Sequence, residues 1–323
     1  MSKSLRIVFM GTPDFAVASL RALVDGGYNV SGVVTTPDRP IGKHQSVLSE
    51  CPVKKYAREK GIFTLQPEKL KDTVFLNQLA ELKADLQIVV AFRMLPEAVW
   101  AMPRLGTFNL HASLLPQYRG AAPINRAIMA GDTETGVTTF FLTHEIDCGK
   151  IILRRSIPIN DTDDAGVIHD RLMALGSELV IETVDLIGSG RVGGVLQETL
   201  YDAATELRPA PKLFTENCRI NWQMPMKHIY DFIRGLSPYP AAWTELISSN
   251  GERRVVKIYQ TEKIPAEHFL PSGTLITSSR DTIDAAVNGG FIRLLSLQMA
   301  GRKRMKAIDF LNGFRLEEGS RLA

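Results

Sequence analysis

Apolar runs and polar breaks alternate along the first half of the chain with the spacing of strand and helix units. Residues 5–10 (LRIVFM) form a nearly continuous apolar run, as a parallel strand buried on both faces requires. A break at Gly11-Thr12-Pro13-Asp14 follows, and residues 15–24 then carry Phe15, Leu20, Leu23 and Val24 at helical spacing, stopped by Gly26-Gly27. Gly11 reads as permitting a tight strand-to-helix turn, with Pro13 near the helix start and Asp14 accepting first-turn N–H groups. The same alternation continues with a strand over 30–36, helices over 53–60 and 74–83, a strand over 86–92, a short helix over 97–102, a strand over 106–111 and a helix over 124–130. Residues 137–142 and 150–159 read as strands around a turn, and 165–188 as a long helix. Repeated units of this kind predict an α/β domain with a Rossmann-like, mostly parallel sheet over residues 1–190. Residues 191–208 lose periodicity and read as a linker. Beyond them a helix over 225–234 and short strand-like runs at 242–248, 255–261, 273–276, 282–286, 289–297 and 306–311 predict a small OB-like β-barrel within 209–323.

Composition bounds this picture. The chain has 323 residues, 45% hydrophobic and 23% charged, which suits about two globular domains and excludes disordered and low-complexity classes. No apolar run approaches the length of a membrane span, and the start lacks a signal-peptide core, so no membrane association is expected. Cys51, Cys148 and Cys218 are far apart and form no C-x-x-C pair, which points to a reducing cytoplasm and away from a zinc ribbon. The net charge of +3 hides an asymmetry: residues 1–207 carry −3 and residues 208–323 carry +6. A basic C-terminal part on a near-neutral body suits a polyanionic partner, though a chance surface bias gives the same sums.

The chemistry-bearing residues concentrate in two places. Asn109 and His111 stand two apart at the end of a predicted strand, so period-2 geometry puts both side chains on one face. Asp147, in Thr143–Lys150, lies in a turn between two strands with Gly149. Read alone, the first pair suits either satisfied half-buried polar groups or a reacting centre, and an Asp-x-Gly turn is by itself usually structural. A dinucleotide site at Gly11 fails on spacing, because neither G-x-G-x-x-G nor a P-loop is present.

The segments GTPDFAV, PDRPIGK, FNLHASLLPQYRGAAPINRAI, EIDCGKII, PAPKL, RINW and IRGLSPYPAAWT resemble the methionyl-tRNA formyltransferase family over nearly the whole chain. The N-x-H-x-S-L-L-P and D-x-G-x-I pair is shared with other users of 10-formyltetrahydrofolate, among them sugar and glycinamide ribonucleotide formyltransferases; the C-terminal motif and basic segment narrow the resemblance. It implies transfer of a formyl group from 10-formyltetrahydrofolate to the α-amino group of methionyl initiator tRNA, with no metal. Asn109, His111 and Asp147 map onto the family's catalytic trio: donors for a developing oxyanion and a group to handle the amine's protons. His144 and Cys148 flank the site without a catalytic part. The resemblance further implies that Ser113, Leu114, Leu115 and Pro116, with Val90, Phe92, Met94 and Leu95, bind the folate. Arg93 departs from the family's pattern there and puts a charged side chain at the expected pocket rim.

The loop bearing Arg39, Lys43 and His44 would meet the tRNA acceptor end, and Arg253, Arg254, Arg302, Lys303 and Arg304 would line a phosphate track on the barrel. Trp222, Tyr239 and Trp243 suit core and interface anchoring better than base stacking. A folate-dependent enzyme acting on a small amine such as an amino sugar is the alternative, disfavoured by the basic C-terminal part. A non-catalytic RNA-binding module is disfavoured by the intact Asn109, His111 and Asp147. Nothing in the residues demands more than a monomer.

Overall fold

The structure, a computed structural model, describes residues 2–41, 47–202, 204–277 and 281–323. Its elements in chain order are β1 (Ile7–Gly11), α1 (Asp14–Asp25), β2 (Val30–Val34), β3 (Arg39–Ile41), β4 (Val47–Ser49), α2 (Pro52–Glu59), β5 (Thr64–Leu65), α3 (Thr73–Glu81), β6 (Leu86–Val90), α4 (Glu97–Trp100), β7 (Thr107–His111), α5 (Pro123–Met129), β8 (Glu134–Phe141), β9 (Ile151–Pro158) and α6 (Ala165–Gly188). After these come α7 (Met226–Leu236), β10 (Ala242–Ile247), β11 (Arg253–Pro265), β12 (Leu275–Ile276), β13 (Ile283–Val287), β14 (Gly290–Met299), β15 (Met305–Lys306), α8 (Ala307–Gly313) and β16 (Arg321–Leu322). By contact the chain divides into two compact units. One holds 1–120, 136–157 and 169–209; the other holds 121–135, 158–168 and 210–323.

The first unit is built on a seven-stranded sheet in the order β5-β2-β1-β6-β7-β8-β9. β5, β2, β1, β6 and β7 pair in parallel, and β8 runs antiparallel to β7. Every residue of β1 and β6 is buried, which is why both read as apolar runs rather than alternating ones. One face packs Val8, Met10, Val34 and Val89 against Phe75 and Leu79 of α3. Each such fully buried side chain contributes roughly 1.5–3 kcal/mol. Gly11 is required by crowding, not by turn conformation: a Cβ there would lie 2.6 Å from Ala16 Cβ and 2.9 Å from the Val90 carbonyl oxygen. Asp14 is the first residue of α1, and no side chain caps that helix.

The second unit carries a seven-stranded sheet ordered β12-β13-β14-β11-β10-β16, with β15 on β14. A bridge between Thr274 and Arg321 joins the two ends of that order and closes the sheet on itself, as a barrel requires. α7 sends Ile229, Ile233 and Leu236 into a core with Val256, Ile258, Ile292 and Leu294. The run 306–311, expected as a strand, is corrected: only Met305–Lys306 pair as strand, and Ala307–Gly313 turn into a helix. Ala307 and Phe310, three apart and both buried, give it helical periodicity. Trp222 is core, whereas Tyr239, expected as an anchor, is 82% exposed. No helix among the described residues is long and apolar enough to cross a membrane.

Candidate active site

β7 delivers Asn109 and His111 to one face. Leu110 faces the other way, onto α6, where a Cβ at Gly176 would come within 2.7 Å of its Cδ2. Asn109 is half-buried, and among the described residues its side chain has no hydrogen-bond partner. His111 is 7% exposed and its Nε2 lies 2.9 Å from the Tyr118 carbonyl oxygen. A carbonyl only accepts, so that nitrogen carries the hydrogen, and in the neutral ring Nδ1 keeps its lone pair. Nδ1 is 4.0 Å from Asp147 Oδ2, longer than a direct hydrogen bond and close enough for an ion pair when Nδ1 is also protonated.

The turn holding Asp147 is tightly specified. Asp147 has φ 55°, in the left-handed region that Asp tolerates better than most residues. Its Oδ2 accepts the Gly120 N–H at 3.0 Å. Gly149 has no alternative, because the Phe141 carbonyl occupies the space where a Cβ would stand. Tyr118, at φ 59°, supplies the carbonyl that orients His111. Tyr118 and Gly120 act through backbone groups, so their side-chain chemistry gives no signal in the sequence. Burial pushes the Cys148 thiol above its ordinary value, with Arg119 pulling the other way. The protonated thiol is no nucleophile. His144 sits outside the cluster, 3.3 Å from Glu97 and edge-on to Trp100.

Of the residues expected to meet folate, Val90 and Leu115 are fully buried; Leu115 packs with Phe140 and Ile151. Leu95 belongs to the α3-side core with Phe92 against it. Leu114 and Pro116 continue the loop after β7, and Met94 is 72% exposed. Ser113 is buried and donates its hydroxyl to the Gln117 carbonyl at 2.7 Å. Arg93 turns to the 67–68 backbone, donating to the Pro67 and Glu68 carbonyls at 2.7 and 3.0 Å. Burial first, then the nearby charge of Arg39, holds its guanidinium below its usual value.

Arg39 is exposed on β3, whose partner β4 pairs Arg39 with Ser49. Lys43 and His44 lie outside the described residues. On the barrel, Arg253 is paired with Glu245 and Arg254 with Glu252. Arg302 and Lys303 are exposed in the β14–β15 turn, and Arg304 lies over the Tyr259 ring at 4.4 Å. Among the described residues no group of His, Cys, Asp and Glu is arranged to hold a metal ion.

The family described as formyl transferase matches residues 5–184, and the formyl transferase C-terminal domain matches 212–315. A methionyl-tRNA formyltransferase of Parabacteroides distasonis is 66% identical over 97% of this chain and 97% of its own length. One of Bacteroides thetaiotaomicron is 60% identical over 99% of each. Among solved structures, the sugar 3N-formyl transferase WlaRD aligns at TM-score 0.64 and 18% identity, over 93% of this chain and 99% of that one. HypX from Aquifex aeolicus in complex with tetrahydrofolic acid aligns at TM-score 0.63 and 18% identity, over 97% of this chain and 49% of that one. At that identity the two likenesses speak for the fold.

Proposed function

The chain belongs to the methionyl-tRNA formyltransferase family, and from that premise we propose how its own residues carry the reaction. The enzyme transfers the formyl group of 10-formyltetrahydrofolate to the amino group of methionyl-tRNA. The amine nitrogen bonds to the formyl carbon, the bond from that carbon to folate nitrogen breaks, and one proton passes from the amine to the departing nitrogen. Negative charge gathers on the formyl oxygen as the amine attacks. The Asn109 amide, unpartnered on the β7 face, is the donor for that oxygen. His111, held through Nε2 by the Tyr118 carbonyl, presents Nδ1 to the reacting atoms and holds the proton in transit. Asp147, 4.0 Å away, stabilises the protonated ring until that proton passes to the departing nitrogen.

The observation that carries this reading is the approach of His111 and Asp147 across 36 positions of chain, with Asp147 tied by its own carboxylate to the Gly120 backbone. The folate reading rests on chemistry at the carboxyl ends of β6 and β7, where ligands of open α/β sheets bind. The backbone of 92–96 leaves the ladder there, beside the exposed Met94 and the half-buried Phe92 and Leu114. Val90, Leu95 and Leu115 shape that edge from the core, and Ser113 and Pro116 set the loop. A flat heteroaromatic ring with a rim of donors and acceptors suits backbone groups flanked by such side chains.

The acceptor is the initiator form of the tRNA. Residues 1–190 hold the chemistry, 191–208 connect, and 209–323 bind the nucleic acid, with Arg302, Lys303 and Arg304 on phosphate. Arg39, Lys43 and His44 meet the acceptor end. The chain works as a monomer in the cytoplasm.

Asp147→Asn tests the centre. Asn tolerates the same backbone conformation and still accepts from Gly120, so the fold stands while the carboxylate is lost. Formyl transfer should fall by about 10²–10⁴-fold, with tRNA affinity nearly unchanged in a filter-binding assay. Full activity removes Asp147 from the mechanism. Comparing charged initiator tRNA, charged elongator tRNA and free methionine as acceptors checks the substrate.

A further inference from the structure

Gln197 lies between the two segments matched by the family, in a stretch whose sequence reads as linker. It is completely buried. Its Nε2 donates to the carbonyls of Asp147 at 2.8 Å and Gly149 at 2.9 Å. Its Oε1 accepts from Arg119 Nε at 3.1 Å and Nη2 at 2.6 Å. The orientation of the amide follows from its partners. Two carbonyls can only accept and a guanidinium can only donate, so the reversed amide would break every one of these bonds. The bonding capacity of the side chain is thereby filled, and it joins the backbone on both sides of Cys148 to Arg119. The residue after Arg119, Gly120, donates to the Asp147 carboxylate. Around Asp147 the chain is thus held by its carboxylate from one side and by its carbonyl from the other.

The segment is itself fastened. Val195 bridges Ile151, a short 3-10 helix covers Gln197–Leu200, and Arg208 N–H donates to Gln117 Oε1 while its carbonyl accepts from Tyr118 N–H. The same stretch therefore also holds the residue whose carbonyl orients His111.

We infer that Gln197 is a positioning residue for formyl transfer: with Arg119 it fixes the turn that aims the Asp147 carboxylate at His111. The inference rests on the reading of Asp147 as part of the reacting centre. Gln197 touches no reacting atom; its effect runs through the placement of Asp147, and a displacement of about 1 Å at such a centre costs on the order of 100-fold.

The test uses the full chain with 10-formyltetrahydrofolate and charged initiator tRNA. The variants are Gln197→Ala, Gln197→Glu, Gln197→Met, Arg119→Ala and the Arg119→Ala/Gln197→Ala pair, with Asp147→Asn as reference. Gln197→Glu keeps the acceptor for Arg119 and loses both donors; Gln197→Met keeps the volume and loses all polar contacts. Each single Gln197 variant should lower kcat by about 10- to 100-fold with both KM values within about twofold. The thermal midpoint of Gln197→Met should stay within about 4 °C of the parent. The double variant should fall no more than about threefold below the worse single one, because both side chains serve one clamp.

A Gln197→Met or Gln197→Glu enzyme with unchanged kcat overturns the inference while leaving Asp147 in place, provided Asp147→Asn is inactive. So do multiplicative losses in the double variant, or variants that all fail to fold. Full activity of Asp147→Asn overturns the reading of Asp147 and, with it, this one.

Discussion

At the scale of single residues, the site is held by backbone conformation as much as by side chains. Asp147 and Tyr118 both sit at positive φ, and each aims one polar group at His111 or its neighbourhood. Holding non-glycine residues there costs about 1–3 kcal/mol each, offset by the bonds around them. A residue elsewhere in the same unit shows how titration couples to folding. Tyr28, buried, has its hydroxyl pushed up to about 12 by burial first and by its 2.8 Å bond to Asp185 second. A folded-state value above the ordinary one favours the fold fully below about pH 10, and that contribution is lost as pH rises towards 12. A shift of this size corresponds to roughly 3 kcal/mol. Tyr28→Phe should therefore flatten the fall in denaturant-measured stability between about pH 10 and 12; an unchanged fall would exclude Tyr28 as its source.

At the scale of elements, close approach explains residues that propensity does not. α5 and α7 meet at Gly235, where a Cβ would lie 2.6 Å from Met129 Cγ and 2.9 Å from Met129 N. The Gly235 carbonyl accepts from Asn125 Nδ2 at 2.7 Å across the same contact. Gly235→Ala should destabilise by roughly 1–3 kcal/mol despite its better helix propensity, read as a lower thermal midpoint; a stabilised variant would mean that the helices part freely. The buried pair Arg234–Asp231 lies beside it, with Arg234 donating to the Asn160 and Asp163 carbonyls at 3.1 and 2.8 Å. The elements hardest to read were those whose partners are distant. β5 and β16 have two residues each and become strands only because neighbours pair with them. Residues 306–311 show the reverse error, since a short apolar run looks alike as a strand or a helix until the side that is buried is known.

At the scale of the whole molecule, the excess positive charge of residues 208–323 is distributed unevenly in effect. Arg253 shares the Glu245 carboxylate with Arg219, and Arg254 is bound to Glu252 through two nitrogens. Arg302 and Lys303 are exposed without such partners among the described residues. A cation already neutralised releases few counterions when a phosphate arrives. Affinity for tRNA should fall linearly on a log–log plot against salt. Arg302→Ala and Lys303→Ala should each reduce the slope by about 1, and Arg253→Ala by much less. Equal effects at all three positions, measured by salt-dependent binding, would remove the distinction.

Order along the chain was enough for β1 and β6, because both are buried on both faces and write that burial as apolar runs. The candidate trio needed the resemblance as well: type and spacing drew attention to Asn109 and His111 at a strand end, but an Asp-x-Gly turn is by itself usually structural, and only the family's pattern joined Asp147 to them. The environment of those groups was not legible. Tyr118, Arg119 and Gly120 reach the site from one loop and Gln197 from a stretch far along the chain, through backbone atoms or through polar side chains that any surface could carry. Val195, Gln197 and Arg208 are held by hydrogen bonds to distant segments rather than by an apolar stripe, and such bonds write no periodicity. The closing of the barrel through Thr274 and Arg321 depends likewise on two short segments that meet only after the chain has folded. Periodicity records burial against a face; it cannot record which distant backbone group a polar side chain will find.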